Sequence, residues 1–453
     1  MLWACAALVF ADNPLFDSIA SAALRNISAL NSQELASIAW ALATLAIGNF
    51  PLLAAISSAS IPPIRDFNVQ SLANTAWAFS TLGYSDGPLL SSIAAASLRL
   101  LAASDSITGS AAIGGVALVH ALTAAGCLED DLIETVAAAL QRRARYLDGP
   151  ETLVSVHPPS VTDEGLSQPR LLFVQQDLCV LWKPPGWTVS VNSTDDGGYW
   201  CRDPGDSARE QGHHARQSSG EGGGRRMQEW LAKEFGAFHP IAGDRSVSHG
   251  LLHRLDRDTS GALLWGSNYR GYYAGLLQLV AWRIRKEYVC LCAGHLCRAG
   301  PRLLEAPITA REAPGGSPRS VVDMVRGRPA CTEILAIDHL TCANGDLVSL
   351  VEIRLHTGRQ HQIRTHLSHE GHPLVGDVLY GSTATALCPR MFLHASRLAL
   401  NAGTGPIDVR VPLPADLHGA LAKLAPVDDC SGALLSRWLR SYGRDGGTVE
   451  EKK

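Results

Sequence analysis

Three tryptophans, Trp3, Trp40 and Trp77, stand 37 residues apart, each in an alanine-rich frame: LWACAAL, AWALATL and AWAFSTL. Ile19, Ile56 and Ile93 keep the same interval, and a weaker fourth copy, stretched by six residues, aligns His120 with the tryptophan and Val136 with the isoleucine. A period of this size constrains the fold strongly, because a unit so short cannot bury its apolar face alone and must stack on its neighbours. Polar breaks at Asn31-Ser32 and Asn68-Val69 separate the Ala-rich segments. Residues 1–140 therefore read as stacked helix pairs, an all-α helical-repeat solenoid. The tryptophans recur at one place on a helical face and are read as core, not as ligand platforms.

These 140 residues carry three Arg, no Lys and ten Asp or Glu, a net charge of minus seven, whereas residues 141–453 hold 36 basic and 33 acidic groups. A solenoid that grips phosphates should be basic, or carry a basic stripe. Protein scaffolding thus stands beside RNA guidance as a reading of the repeats. Met1 lies two residues before the first tryptophan, with the front half of that repeat missing. A cap or a longer N-terminal region is expected upstream, and any transit peptide with it. Met1 to Phe10 lacks the basic flank of a secretion signal. The chain is taken as intracellular and its compartment is left open.

The second half is organised around a different feature, His253-Arg254-Leu255-Asp256-Arg257-Asp258-Thr259-Ser260-Gly261, followed by the apolar run Leu263-Leu264-Trp265. Charges this dense beside a buried strand are costly unless they pair or work, so the segment reads as an active-site loop. His-Arg-x-Asp is similar to a protein-kinase catalytic loop, but that motif needs His-Arg-Asp contiguous and a downstream Asp-Phe-Gly, and neither occurs. Asp256 and Asp258 are similar to the paired aspartates of phosphatases that form an aspartyl-phosphate, yet Ser260 stands where Thr or Val is expected and no matching acidic pair stands out later. Further on, Val351, Ile353 and Leu355 alternate with Glu352, Arg354 and His356, the period of a half-buried strand; Thr357-Gly358 breaks it, and from Arg359 the pattern turns helical. A cation where strand gives way to helix is well placed to pair with a buried carboxylate, which makes Arg359 the candidate partner of Asp256.

The loop resembles the central motif of the RluA-type pseudouridine synthases, His-Arg-Leu-Asp-x-x-Thr-Ser-Gly, at every fixed position. Other stretches agree in order: Leu171 to Val191 with Lys183-Pro184-Pro185-Gly186, Lys286-Glu287-Tyr288, Gly327 to Thr332, the long run Val348 to Gly381, and Leu393-His394-Ala395 with Arg397 and Leu398. The resemblance covers about 170–417. It implies an α+β catalytic domain on a mixed, mostly antiparallel sheet, and isomerisation of specific uridines to pseudouridine in a structured RNA, ribosomal or transfer. Asp256 matches the essential aspartate, with Arg359 keeping it ionised and Tyr288 stacking on the uracil near C5. Arg254 matches the residue that fills the gap left by a flipped nucleotide, Ile363 would pack under the base, and His253, Lys286 and Arg364 complete the expected substrate contacts. No cofactor and no metal is implied. The repeats resemble, less specifically, the RNA-binding helical repeats of algal and plant organelles, including the octotricopeptide type, which brings plastid and mitochondrion in as candidate compartments. The alternative is a helical-repeat RNA-binding or scaffold protein whose synthase domain is secondary or silent.

The expected organisation is repeats over 1–140, a linker over 141–169, a catalytic domain over 170–425 with a polar insertion at 192–226, and a tail over 426–453. Eleven cysteines, scattered and without a Cys-x-x-Cys pair, suit free thiols in a reducing compartment better than disulfides or zinc. His213-His214 has no partner ligands nearby in the sequence. No apolar stretch has the roughly 18 residues that a membrane span requires.

Overall fold

The computed structural model describes residues 13–103, 108–149, 167–191, 225–299, 302–312, 318–325, 327–381, 387–428 and 431–440. Trp3, His213-His214 and nearly all of the polar insertion lie outside them. The described residues belong to two compact units. No helix among them is long and apolar enough to cross a membrane.

The first unit is helical: α1 (Asn13–Arg25), α2 (Ser32–Thr44), α3 (Phe50–Ser60), α4 (Val69–Thr81), α5 (Gly87–Ala102), α6 (Gly109–Ala124) and α7 (Asp130–Asp148). The 37-residue period is a period of helix starts. Asn31 and Asn68 cap α2 and α4, accepting the backbone N–H of Glu34 at 3.0 Å and of Ser71 at 2.8 Å. Asn49 and Asp86, also one period apart, cap α3 and α5 through Leu52 at 3.1 Å and Leu89 at 3.0 Å. Each cap satisfies an N–H that the helix itself leaves without a partner. Equivalent helices of successive repeats pack together, α2 on α4 on α6 and α1 on α3 on α5 on α7. Ile56, Ile93 and Val136 are buried between them, as is Trp77, while Trp40 is half-buried. The helix α7 runs to Asp148 with Ala144 fully buried. Its apolar face thus continues past residue 141, where polar composition alone suggests that a linker begins.

The second unit is built on one ten-stranded sheet, with strands β1 (Arg170–Gln175), β2 (Leu178–Lys183), β3 (Ser260–Gly266), β4 (Arg285–Ala293), β5 (Leu303–Leu304), β8 (Thr332–Thr341), β9 (Leu347–Leu355), β10 (Leu393–Asn401), β11 (Pro406–Arg410) and β12 (Ala425–Pro426). A separate hairpin pairs β6 (Ile308–Glu312) with β7 (Pro318–Val322). The order β1-β2-β3-β10-β4-β9-β8-β12 places β10 between β3 and β4, with β11 beside β10 and β5 beside β8. The pairing of β10 with β3 is parallel; the other described pairings are antiparallel. The sheet is therefore mixed and mostly antiparallel.

Alternation along β4 supplies two cores. Tyr288, Cys290 and Cys292 face a cluster with Leu263, Trp265, Val351 and Ile353, covered by α8 (Met227–Phe235) and α9 (Gln362–His369). Val289 and Leu291 face the opposite cluster, with Val348 and Leu350 of β9 beside them and α10 (Ala415–Leu421) above. Strands buried on both faces need apolar residues at both phases of the pleat, which is why Leu263, Leu264 and Trp265 run consecutively. A last helix, α11 (Ala433–Arg440), adds Leu434 and Leu435 to the second core. Buried Asp338 accepts the N–H groups of Gly432 at 2.8 Å and Leu435 at 2.9 Å, so the chain is held in place beyond residue 426, inside the stretch expected to be a tail.

Candidate active site

The loop from His253 to Ser260 enters β3 and carries Asp256, whose side chain is 16% exposed. Its Oδ2 meets Arg364 Nη1 at 3.0 Å, and its Oδ1 lies 3.9 Å from His361 Nε2. Arg364 is fixed from behind: Nε and Nη2 donate to the two oxygens of Asp377 at 2.7 and 2.8 Å, and the guanidinium lies 4.9 Å from the centre of the Tyr380 ring. A fork held this way presents its remaining nitrogen in one place.

The sequence pattern offers Arg359 as the partner of Asp256, and the structure corrects this. Arg359 sits in the turn ahead of α9; its Nε donates to the carbonyl of Pro329 at 3.0 Å and its N–H to Gln362 Oε1 at 2.9 Å. Arg364 lies five residues further on, inside α9, with its side chain directed at Asp256. The signal that separates the two is Asp377, in Val375-Gly376-Asp377, a buried acid whose guanidinium partner can be sought on the preceding helix.

Three cations converge on the loop, two of them through its backbone. Lys183, fully buried at the end of β2, donates to the carbonyls of Pro184, Arg257 and Thr259 at 3.0, 2.9 and 2.6 Å. Only an ammonium supplies three N–H groups. Burial pushes Lys183 down, to about 7, while Asp256 and Asp258 pull it up and Arg390 adds to the fall. Arg390 donates to the carbonyl of Asp258 at 2.7 Å and to Ser260 Oγ at 3.0 Å, and is anchored by Asp416 at 2.6 Å. Ser260 in turn lies 3.0 Å from Nδ1 of the buried His394, whose Nε2 lies 3.1 Å from the carbonyl of Val411. Burial lowers His394 to about 4, so the ring is neutral and donates from Nε2. Sequence reasoning singles out none of Lys183, Arg390, His394 or Asp377 as a site residue; the first three reach partners on the loop that lie far away in the chain.

The remaining expected residues divide. Tyr288, on β4, is 6% exposed, and burial, then Asp256, pushes its phenol up. Ile363 is 3% exposed in the same core cluster. Arg254 is exposed beside Asp256 in the chain. Lys286 is half-buried with its ammonium near Gly358. His253 is expected from the motif to contact substrate, but it is 9% exposed and its Nε2 accepts the backbone N–H of Leu264 at 3.0 Å. Burial, helped by nearby Lys286, lowers it to about 3, so it is a neutral acceptor that ties the start of the loop to β3. Among the described residues no group of three or more His, Cys, Asp or Glu could hold a metal ion.

A carboxylate with one oxygen fixed by a guanidinium and the other open can act as a nucleophile or as a base. Near it stand the buried phenol of Tyr288 and, in the same loop, the exposed Arg254 and Arg257. Residues 177–369 match the family model of the RNA pseudouridylate synthases. Over those residues the chain is similar to the RNA pseudouridine synthases. An RNA pseudouridine synthase of Chloroflexus aurantiacus is 40% identical over 182 residues, 39% of this chain and 53% of that protein. The ribosomal large subunit pseudouridine synthase D of Nitrosomonas europaea is 35% identical over 185 residues, 38% of this chain and 50% of that protein. The chain thus spans about half the length of these curated relatives. The solved structure of human RNA pseudouridylate synthase domain containing 1 covers 62% of this chain and 98% of its own, with 23% identity and a TM-score of 0.42.

Proposed function

We propose that the protein isomerises specific uridines to pseudouridine in a structured ribosomal or transfer RNA, with Asp256 as the catalytic carboxylate. The observation that carries this reading is the Asp256–Arg364–Asp377 arrangement within a domain of the synthase family. In the reaction the N1–C1′ bond of uridine breaks, a C5–C1′ bond forms, the C5 proton leaves and N1 gains a proton, so no cofactor is consumed. Asp256 would act through Oδ1, the oxygen that Arg364 leaves open, on the ribose. Arg364, in place of Arg359, would hold and aim it through its bond to Oδ2. Tyr288 and Ile363 would hold the uracil, and Arg254 would fill the gap left by the flipped nucleotide, since the reacting atoms cannot be reached in a stacked helix.

The helical unit is part of the same proposal. Its capped, repeating helix pairs support a solenoid over residues 1–140, joined to a catalytic domain that starts near residue 170. Its acidic balance favours a protein partner over direct phosphate contact. The test is pseudouridine mapping of total RNA from cells expressing the chain or its Asp256→Asn variant. Sites present only with the unsubstituted chain establish the activity and identify the RNA; identical maps from two folded proteins reject it.

A further inference from the structure

Resting on the reading of Asp256 as the catalytic carboxylate, we infer that His361 is a positioning residue that aims its open oxygen. His361 has φ +54°, a left-handed conformation that costs a residue with a side chain of this kind and persists only where its surroundings hold it. Gln362 does the holding. It is 2% exposed, and its Oε1 accepts from Thr357 Oγ1 at 2.8 Å and Arg359 N at 2.9 Å, while its Nε2 donates to Cys331 O at 3.0 Å and Thr332 Oγ1 at 2.9 Å. Four bonds from one buried amide lock the turn, and α9 starts with Thr365 N donating to His361 O at 2.8 Å.

The locked turn swings the imidazole between two partners. Nδ1 is 3.1 Å from Tyr380 Oη, and Nε2 is the nitrogen facing Asp256 Oδ1 at 3.9 Å. Tyr380 Oη receives the N–H of Ser320 at 2.9 Å and the hydroxyl of Thr365 at 3.3 Å, and its own proton can go to Ser320 O at 3.0 Å or to His361 Nδ1 at 3.1 Å. A carboxylate opposite Nε2 favours a proton there, which leaves Nδ1 to accept from Tyr380. Burial keeps the ring neutral, against the pull of Asp256. The distance of 3.9 Å is longer than a hydrogen bond, so in the free protein the N–H acts as an oriented dipole. Catalytic contacts of this kind commonly tighten when substrate is bound. His361 caps the start of α9 and Arg364 lies in its first turn, so one end of one helix holds Oδ2 and addresses Oδ1 together.

Several charges bear on this arrangement. Asp256 feels Arg364 and His361 from α9, Lys183 from β2, and Tyr288 from β4, with Tyr380 nearby; His361 feels Asp256, Arg364, Arg254 and Asp377. Removing the imidazole takes away the N–H that faces Oδ1, with its contact to Tyr380, and leaves the cations in place.

The test uses the full chain with total cellular RNA carrying 5-tritiated uridine, whose label is released when C5 loses its hydrogen, and the carbon-13 chemical shift of the Asp256 carboxyl at fixed pH, assigned by its absence in Asp256→Asn. His361→Ala should lower kcat about 10- to 100-fold with little change in KM, and should move the Asp256 carboxyl resonance. His361→Gln, whose amide can accept from Tyr380 and donate toward Asp256, should recover most of both. An unmoved resonance in folded His361→Ala, or equal losses in the two variants, overturns the inference. If His361→Ala does not fold, Tyr380→Phe releases the same tautomer and should move the same resonance, with an unmoved resonance again overturning it. Absence of tritium release by the unsubstituted protein would instead count against the isomerase reading, and the carboxyl resonance would still decide the role of His361.

Discussion

Arg364 meets Asp256 through one nitrogen, at 3.0 Å, and spends its other two on Asp377. The guanidinium is therefore held by Asp377 and offered to Asp256. Arg364→Lys keeps the charge but cannot make the paired bonds, and it leaves Asp377, 1% exposed, without its fork. The expected cost is about 3–5 kcal/mol of stability in denaturant melts, with loss of tritium release. Arg359→Ala, by contrast, should keep kcat within a few-fold of the unsubstituted protein.

Asp256→Asn should lower turnover by about 10³-fold or more while the protein stays folded, because Arg364 remains anchored on Asp377. Tritium release beside a thermal melt separates the two properties. A variant that retains comparable turnover would move the chemistry to another residue.

Lys183 has a pH signature with a definite sign. Its proton leaves the folded chain near pH 7 and the unfolded chain near 10.5, so between these values the unfolded state binds the extra proton and stability rises with pH. Below that window both states carry the charge, and the cost of burying it is fully felt. Turnover should fall as stability rises, since a neutral amine cannot donate to all three loop carbonyls. Denaturant midpoints measured across the same window should rise for the unsubstituted protein relative to Lys183→Met, which has no proton to lose there. Parallel curves for the two proteins would show that the ammonium does not titrate in this range.

Gly261 has φ +128°, and a Cβ at this position would stand 2.2 Å from the carbonyl oxygen of Ala395. The parallel pairing of Gly261 with Ala395 requires this approach. Gly261→Ala should cost at least about 4 kcal/mol, visible as a lowered melting temperature, because both backbone conformation and strand contact oppose it.

The helix caps offer a milder test of the first unit. Asn68→Ala removes the 2.8 Å bond to Ser71 N and should cost about 1 kcal/mol, while Asn68→Asp should cost little. Helical circular dichroism during thermal unfolding would read the difference.

What can be read from sequence follows the range of the interactions. The period of two over Val351 to Leu355 and the 37-residue spacing of Asn31 and Asn68 are local patterns, and they correspond to β9 and to the caps of α2 and α4. Asp256, Tyr288 and Ile363 come from a motif. The choice between Arg359 and Arg364 is not legible locally because both suit the turn region, and only the position of Asp377 decides which one points inward. Lys183 and Arg390 leave little trace because they hold backbone carbonyls, which have no residue-specific signature. The buried state of His253 is hidden for the same reason: its partner is the N–H of Leu264.

The place of β10 bears on how the protein is made. This strand joins the β1-β2-β3 side of the sheet to the β4-β9-β8 side, and Arg390, His394 and Ala395, which grip the end of the Asp256 loop, all come with it. During translation the loop leaves the ribosome well before its fasteners do. A nascent chain that has emerged only as far as α9 carries Asp256, Tyr288 and Arg364 without the strand that fastens their loop, so the proposed site is complete only once synthesis has passed β10.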